Sequence, residues 1–170
     1  KAQEASYVLR EAVASYESAQ LAGADGDMEA ARVKLQEVVD DYGRTSQGDM
    51  AGLYLARMDM AQGDVERARA TLVKIADKRR GDPIGRLATL DLVHLRVDSG
   101  QGAEVATELQ AMVVGRDDRL PRDVALYELG QVYAKEQDVE QAREYLQKLV
   151  DEFPESPYVA QAQQRLAELG

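Results

Sequence analysis

One apolar stripe recurs at a fixed interval, and it restricts this chain to an array of helices. Ala31, Ala68, Val105 and Ala142 are followed four residues on by Leu35, Leu72, Leu109 and Leu146, and three further on by Val38, Ile75, Met112 and Leu149. Each series advances by 37 residues. The order i, i+4, i+7 places three side chains along one face of a helix, where they can pack against the helix before it. Four recurrences at one interval mark a repeat.

A turn signal precedes every stripe in the same phase: Gly26-Asp27, Gly63-Asp64, Gly100-Gln101 and Gln137-Asp138. Glycine can take the left-handed conformation that closes one helix, and aspartate can accept from the free amides that begin the next. A first helix of each unit is marked by Tyr16 with Ala19 and Ala22, Leu53 with Ala56 and Met60, Leu90 with Val93 and Val97, and Tyr127 with Gly130 and Ala134. The small residues Ala19, Ala56 and Gly130 allow close helix crossing. Pro83, Pro121, Pro154 and Pro157 fall between units or before the last helix, where a missing amide is tolerated. These signals predict helices near 2–24, 28–41, 48–62, 65–79, 84–99, 102–114, 121–136, 139–152 and 157–169. The fold class expected is all-α, a right-handed superhelix of four hairpins plus a C-terminal capping helix whose apolar face is Val159, Ala162, Leu166 and Leu169. Residues 1–170 form one domain in this reading, with units near 1–43, 48–80, 84–117 and 121–154.

Composition supports an ordered helical chain: 45% of residues are hydrophobic, only four are proline, and good helix formers dominate. Cysteine is absent, which removes disulfides, thiolate metal sites and thiol nucleophiles. A formal charge of -10 opposes nonspecific phosphate binding and suits a basic protein partner. No apolar run is long enough to span a bilayer, and the opening KAQEASYVLREAVASYESAQ lacks the pattern of a signal peptide. Because the sequence does not start with methionine, a signal or membrane anchor upstream of residue 1 is part of the expectation.

At this level the sequence resembles the tetratricopeptide-repeat family. The segment ALYELGQVYAKEQDVEQAREYLQKLVDEFPES, residues 125–156, carries the likeness through Leu129, Gly130, Tyr133, Ala142 and Pro154. Leu55, Ala56, Gly63, Ala68 and Leu72 repeat it in the second unit, where Asp59 replaces the usual aromatic residue. The ending EFPESPYVAQAQQRLAEL is similar to repeats of bacterial envelope proteins such as the TolA-binding coordinator, and the arrangement resembles the periplasmic domain of the ancillary Sec translocon subunit. What the resemblance implies is a protein-binding scaffold in a bacterial envelope complex, periplasmic and membrane-associated. A soluble cytoplasmic adaptor and an enzyme with a dispersed carboxylate site are the alternatives.

Catalytic, metal and cofactor motifs find little support, and none is expected. Asp25-Gly26-Asp27-Met28-Glu29 has the spaced oxygens of a calcium loop, but Ala30 stands where that loop needs glycine and Gln36 where it needs glutamate. It is read as an inter-helix turn. Adjacent carboxylates at Asp40-Asp41, Asp117-Asp118 and Asp151-Glu152 point in different directions on a helix and are read as solvated termini. His94 is the sole histidine, so a histidine metal cluster is impossible, and a structural or surface role is expected of it before a binding one. The basic run from Lys74 to Arg80 lies near a helix end, where it complements the dipole; no nucleic-acid binding is expected.

A protein or peptide partner is expected on the face formed by the first helices. Tyr16, Leu53, Leu90 and Tyr127 share one phase, and Gln20, Arg57, His94 and Gln131 lie four residues on, on the same side. The family resemblance makes this face the concave one. Rings there could bury apolar groups of a mixed helix or an extended segment, while Gln20, Arg57 and Gln131 satisfy polar ones.

Overall fold

A computed structural model describes residues 2–23 and 25–170. Among them the chain is all-α: α1 (Ala2–Ala22), α2 (Asp25–Tyr42), α3 (Ser46–Ala61), α4 (Val65–Lys78), α5 (Pro83–Asp98), α6 (Gly102–Val113), α7 (Arg122–Lys135), α8 (Val139–Glu152) and α9 (Val159–Glu168). These make helical hairpins of tetratricopeptide-like form with α9 as the final cap. All twelve residues of the recurring stripe are buried.

The helix boundaries follow from local chemistry. Asp64 Oδ1 accepts from the Arg67 amide at 3.3 Å, and Asp138 Oδ1 from the Gln141 amide at 3.1 Å, so both aspartates cap as their spacing predicts. Gly63 and Gly100 adopt φ of 81° and 82°. Gly26 does not: it lies inside α2, and Gly23, at φ 62°, takes the left-handed position instead. Helix α2 starts three residues before its predicted edge, which draws Gly26 and Asp27 into its first turn. The side chain of Asp25, first of the calcium-like oxygens, lies outside the described residues.

Gln137 occupies the left-handed position without being glycine, at φ 64°. Its Cβ then crowds the backbone, at a cost of about 1–2 kcal/mol. Gln137→Gly is expected to raise the unfolding free energy by about 1 kcal/mol, less the entropy glycine adds to the unfolded chain. Urea unfolding followed by circular dichroism checks this, and an unchanged or lower midpoint would contradict it.

The chain divides into two compact units, Lys1–Leu92 and Val93–Gly170, the boundary falling within α5. In the first unit α1 packs on α2, α2 on α3, and α3 on α4, with α1 also meeting α3. Ala12, Leu35, Val38, Ala51, Leu55 and Met58 form a buried cluster there, flanked by Tyr16, Tyr42 and Tyr54. Two buried acids are neutralised in the same unit. Asp49 accepts from Lys78 Nζ at 2.7 Å and Arg79 Nε at 2.6 Å, which gives the basic run a structural task. Asp59 accepts from Arg32 Nη1 at 2.6 Å, so the family's aromatic is replaced by an ion pair reaching back to α2.

In the second unit α6 packs on α7, α7 on α8, and α8 on α9. Tyr133, at the family's aromatic position, stacks on Tyr145 with centroids 5.6 Å apart, and Gln110 Nε2 donates to both hydroxyls. Burial pushes the Tyr133 phenol above its ordinary range. Glu108 accepts from Arg96 at 2.7 Å and from Arg119 at 3.1 Å. Burial alone would raise its pKa, but the two arginine hydrogen bonds outweigh it and hold the carboxyl below the usual value. A depressed carboxyl contributes stability above its unfolded pKa of about 4.3 and loses it as pH falls through the folded value. Glu108→Gln should therefore cost about 0.5–1 kcal/mol at pH 7, small because the group is partly screened by solvent. The gap between variant and parent should shrink in acid-unfolding curves as pH falls below the ordinary carboxyl range and through the lowered folded value; a gap constant with pH would refute the assignment.

Among the described residues no helix is long and apolar enough to cross a membrane. The longest, α1, has 21 residues but carries Glu4, Arg10, Glu11 and Glu17. This corrects the expectation of a membrane-associated chain: none of the described helices supplies a membrane span.

Candidate functional site

The first helices place their phase-related residues unevenly. In the first unit Tyr16 is half-buried and meets Tyr54 edge-on, with ring centroids 5.3 Å apart, and Gln20 Nε2 donates to Tyr16 Oη at 2.8 Å. Burial raises the Tyr16 pKa, so its hydroxyl remains a neutral donor well into alkaline solution. Arg57 reaches from α3 to α5, where Nε and Nη2 donate to the two carboxylate oxygens of Asp91 at 2.8 and 3.3 Å. The Asp91 hydrogen bond is the main cause of a raised Arg57 pKa, and the guanidinium also lies 6.0 Å from the Tyr54 ring. Leu90 is half-buried.

Leu53 departs from the expectation. It is 1% exposed, a core residue of α3, and offers no surface to a partner. Its phase matches Tyr16 and Tyr127, but an aliphatic side chain at the edge of the stripe gains by turning inward, whereas a tyrosine keeps its hydroxyl at the surface. The neighbouring Tyr54 takes the surface role in α3.

In the second unit His94, Tyr127 and Gln131 converge on a cleft of about 500 Å³ between α5 and α7. Val93, Val97 and Val132 form its apolar floor. His94 Nε2 lies 3.0 Å from Glu128 Oε2, and the Glu128 side chain is only 7% exposed. Lys135 Nζ bonds Asp98 further along the same helix pair. Gln131 Nε2 donates to Tyr127 Oη at 2.7 Å, and the Tyr127 ring leans on Tyr158 with centroids 5.0 Å apart. Burial first, and then the Glu128 charge, raise the Tyr158 pKa.

Tyr54, Asp91, Glu128 and Tyr158 were missed by the sequence reading. A signal existed for three of them: Tyr54, Asp91 and Glu128 advance by 37 residues. Asp91 and Glu128 each bond a residue 34 positions earlier, Arg57 and His94. A side chain on one first helix thus meets the next first helix through one rung of a ladder.

Residues 3–116 match the tetratricopeptide repeat-like domain family, and residues 124–156 match the tetratricopeptide repeat itself. The chain belongs to the tetratricopeptide repeat-like domain family, a class of protein-protein interaction modules. Its fold is similar to crystal structures of nearly identical TPR-like repeats from a Podosopora anserina protein named as a kinesin light chain. One of these, a variant in which a glutamine is replaced by methionine, has 22% identity and a TM-score of 0.64, covering 95% of this chain and 85% of that one. A second has 22% identity and a TM-score of 0.63, covering 95% and 86%. A comparison with curated proteins gave no match.

Proposed function

We propose that the chain binds a peptide segment of a protein partner on the faces of its first helices. Tyr16, Gln20, Arg57 and Leu90 serve in the first unit, and His94, Tyr127 and Gln131 in the second. The observation that carries this reading is the cleft between α5 and α7, where three phase-related side chains converge over a valine floor. Apolar floor with a polar rim is the usual composition of a peptide-binding groove.

The test combines Tyr16→Ala, Arg57→Ala and Tyr127→Ala in one chain. With helicity and thermal unfolding retained, affinity for a partner recovered by crosslinking should fall at least about tenfold, since aromatic and arginine anchors commonly contribute about 1–2 kcal/mol or more each. Wild-type affinity would move the partner surface to another part of the array. Residues 1–170 are taken as one repeat domain in this proposal; a single cooperative unfolding transition supports that, and two separate transitions would oppose it.

A further inference from the structure

Helix α7 separates two clefts. On one side lies the valine-floored cleft described above, and on the other, between α7 and α9, a smaller one of about 270 Å³ lined by Gln161, Gln164, Arg165 and Glu168. Tyr127 and Gln131 line both, so their hydrogen-bonded pair forms the ridge between them. We propose that the two clefts act as one bipartite site for an extended, net-basic peptide segment, with a branched aliphatic side chain on the valine floor and a backbone carbonyl at Arg165. This deepens the preceding reading and rests on it.

The chemistry of each cleft selects its occupant. Charged groups around the larger one are already engaged, His94 with Glu128 and Lys135 with Asp98, so a charged anchor would have to displace a partner. An aliphatic anchor need only cover Val93, Val97 and Val132. In the smaller cleft Arg165 Nη1 donates to Glu168 Oε2 at 2.8 Å, while Arg165 Nε is buried without an acceptor. An unsatisfied buried donor is costly, and a small swing of this half-buried arginine toward an incoming acceptor would recover the lost bond. Glu168 beside it repels a carboxylate and tolerates a neutral carbonyl. An extended chain exposes such carbonyls, whereas a helix uses its own internally. Residues 93–170 hold eight lysines and arginines against fifteen aspartates and glutamates, which favours a basic segment.

The test uses the full 170-residue chain to select nonapeptides from a random display library, followed by fluorescence anisotropy with labelled synthetic copies. Selected peptides should share valine, isoleucine or leucine flanked by lysine or arginine, and aspartate at the anchor should weaken binding about tenfold or more. Arg165→Lys keeps the charge but removes the Nε donor, and should weaken binding about threefold to tenfold with helicity unchanged. Selection of acidic or aromatic anchors, or equal affinity for Arg165→Lys, overturns the bipartite site. If such peptides still lose affinity on Tyr127→Ala, the broader first-helix reading survives; if they do not, or if nothing is selected, both readings fall.

Discussion

Replacing Leu146 by alanine is expected to lower the free energy of unfolding by about 2–5 kcal/mol, and Leu72→Ala by a similar amount. Both leucines are fully buried at the centre of the recurring stripe, Leu146 between Ala142 and Leu149 on α8 and Leu72 between Ala68 and Ile75 on α4. Truncation removes the apolar surface and leaves a cavity that the flanking helices can only partly close. Small neighbours at Ala68 and Ala142 cannot swing in to fill it, which favours the upper part of that range. Urea denaturation of each variant gives the number. Losses below about 0.5 kcal/mol for both would remove these residues from the core.

The second large effect lies across the same contact. A Cβ added at Gly130 on α7 would stand 2.5 Å from Leu146 Cγ and 2.6 Å from its Cδ2, far inside van der Waals contact. Leu146 is fully enclosed and has little room to give, so Gly130→Ala should cost about 1–3 kcal/mol of overpacking. Alanine regains about 1 kcal/mol of helix propensity against this, and the net result remains a loss. The double variant is the more telling measurement. Leu146→Ala removes the atoms that the new methyl strikes, and that methyl occupies part of the space vacated. The two costs should therefore combine to less than their sum, by at least about 0.5 kcal/mol. Strict additivity would mean that the two helices do not meet at this point.

The stripe was legible from sequence because a helix fixes which residues share a face without reference to anything distant. Ala31, Leu35 and Val38, with their three counterparts, needed only their spacing. Turn chemistry was legible to the same degree at Gly63, Asp64, Gly100 and Asp138, but not at Gly26, because an equally capable glycine stood three residues earlier. Phase places Leu53 with Tyr16 and Tyr127 but cannot say which way a residue at the margin of the stripe turns; burial of an aliphatic group decided it. The rungs Arg57 to Asp91 and His94 to Glu128 join successive first helices, and their partners could be chosen only once the stacking of those helices was known. Membrane association entered through family resemblance and through an anchor expected upstream of residue 1, inferences that carry no information about the hydropathy of these helices.

Asp59 has a consequence for how such a repeat could change over time or be rebuilt. Its carboxylate is held at 2.6 Å by Arg32, which belongs to the hairpin before it, and at 3.5 Å by the exposed Arg67 of its own hairpin. Restoring an aromatic at position 59 alone would leave a largely buried guanidinium with only its bond to Gln62, and removing Arg32 alone would leave the buried carboxylate only its longer contact with Arg67, so the two positions are best exchanged together. A hairpin spanning α3 and α4 is thus no freely interchangeable cassette: moved behind a different neighbour, it would arrive with a buried acid whose shorter ion pair had been left behind and which kept only the longer contact with the exposed Arg67.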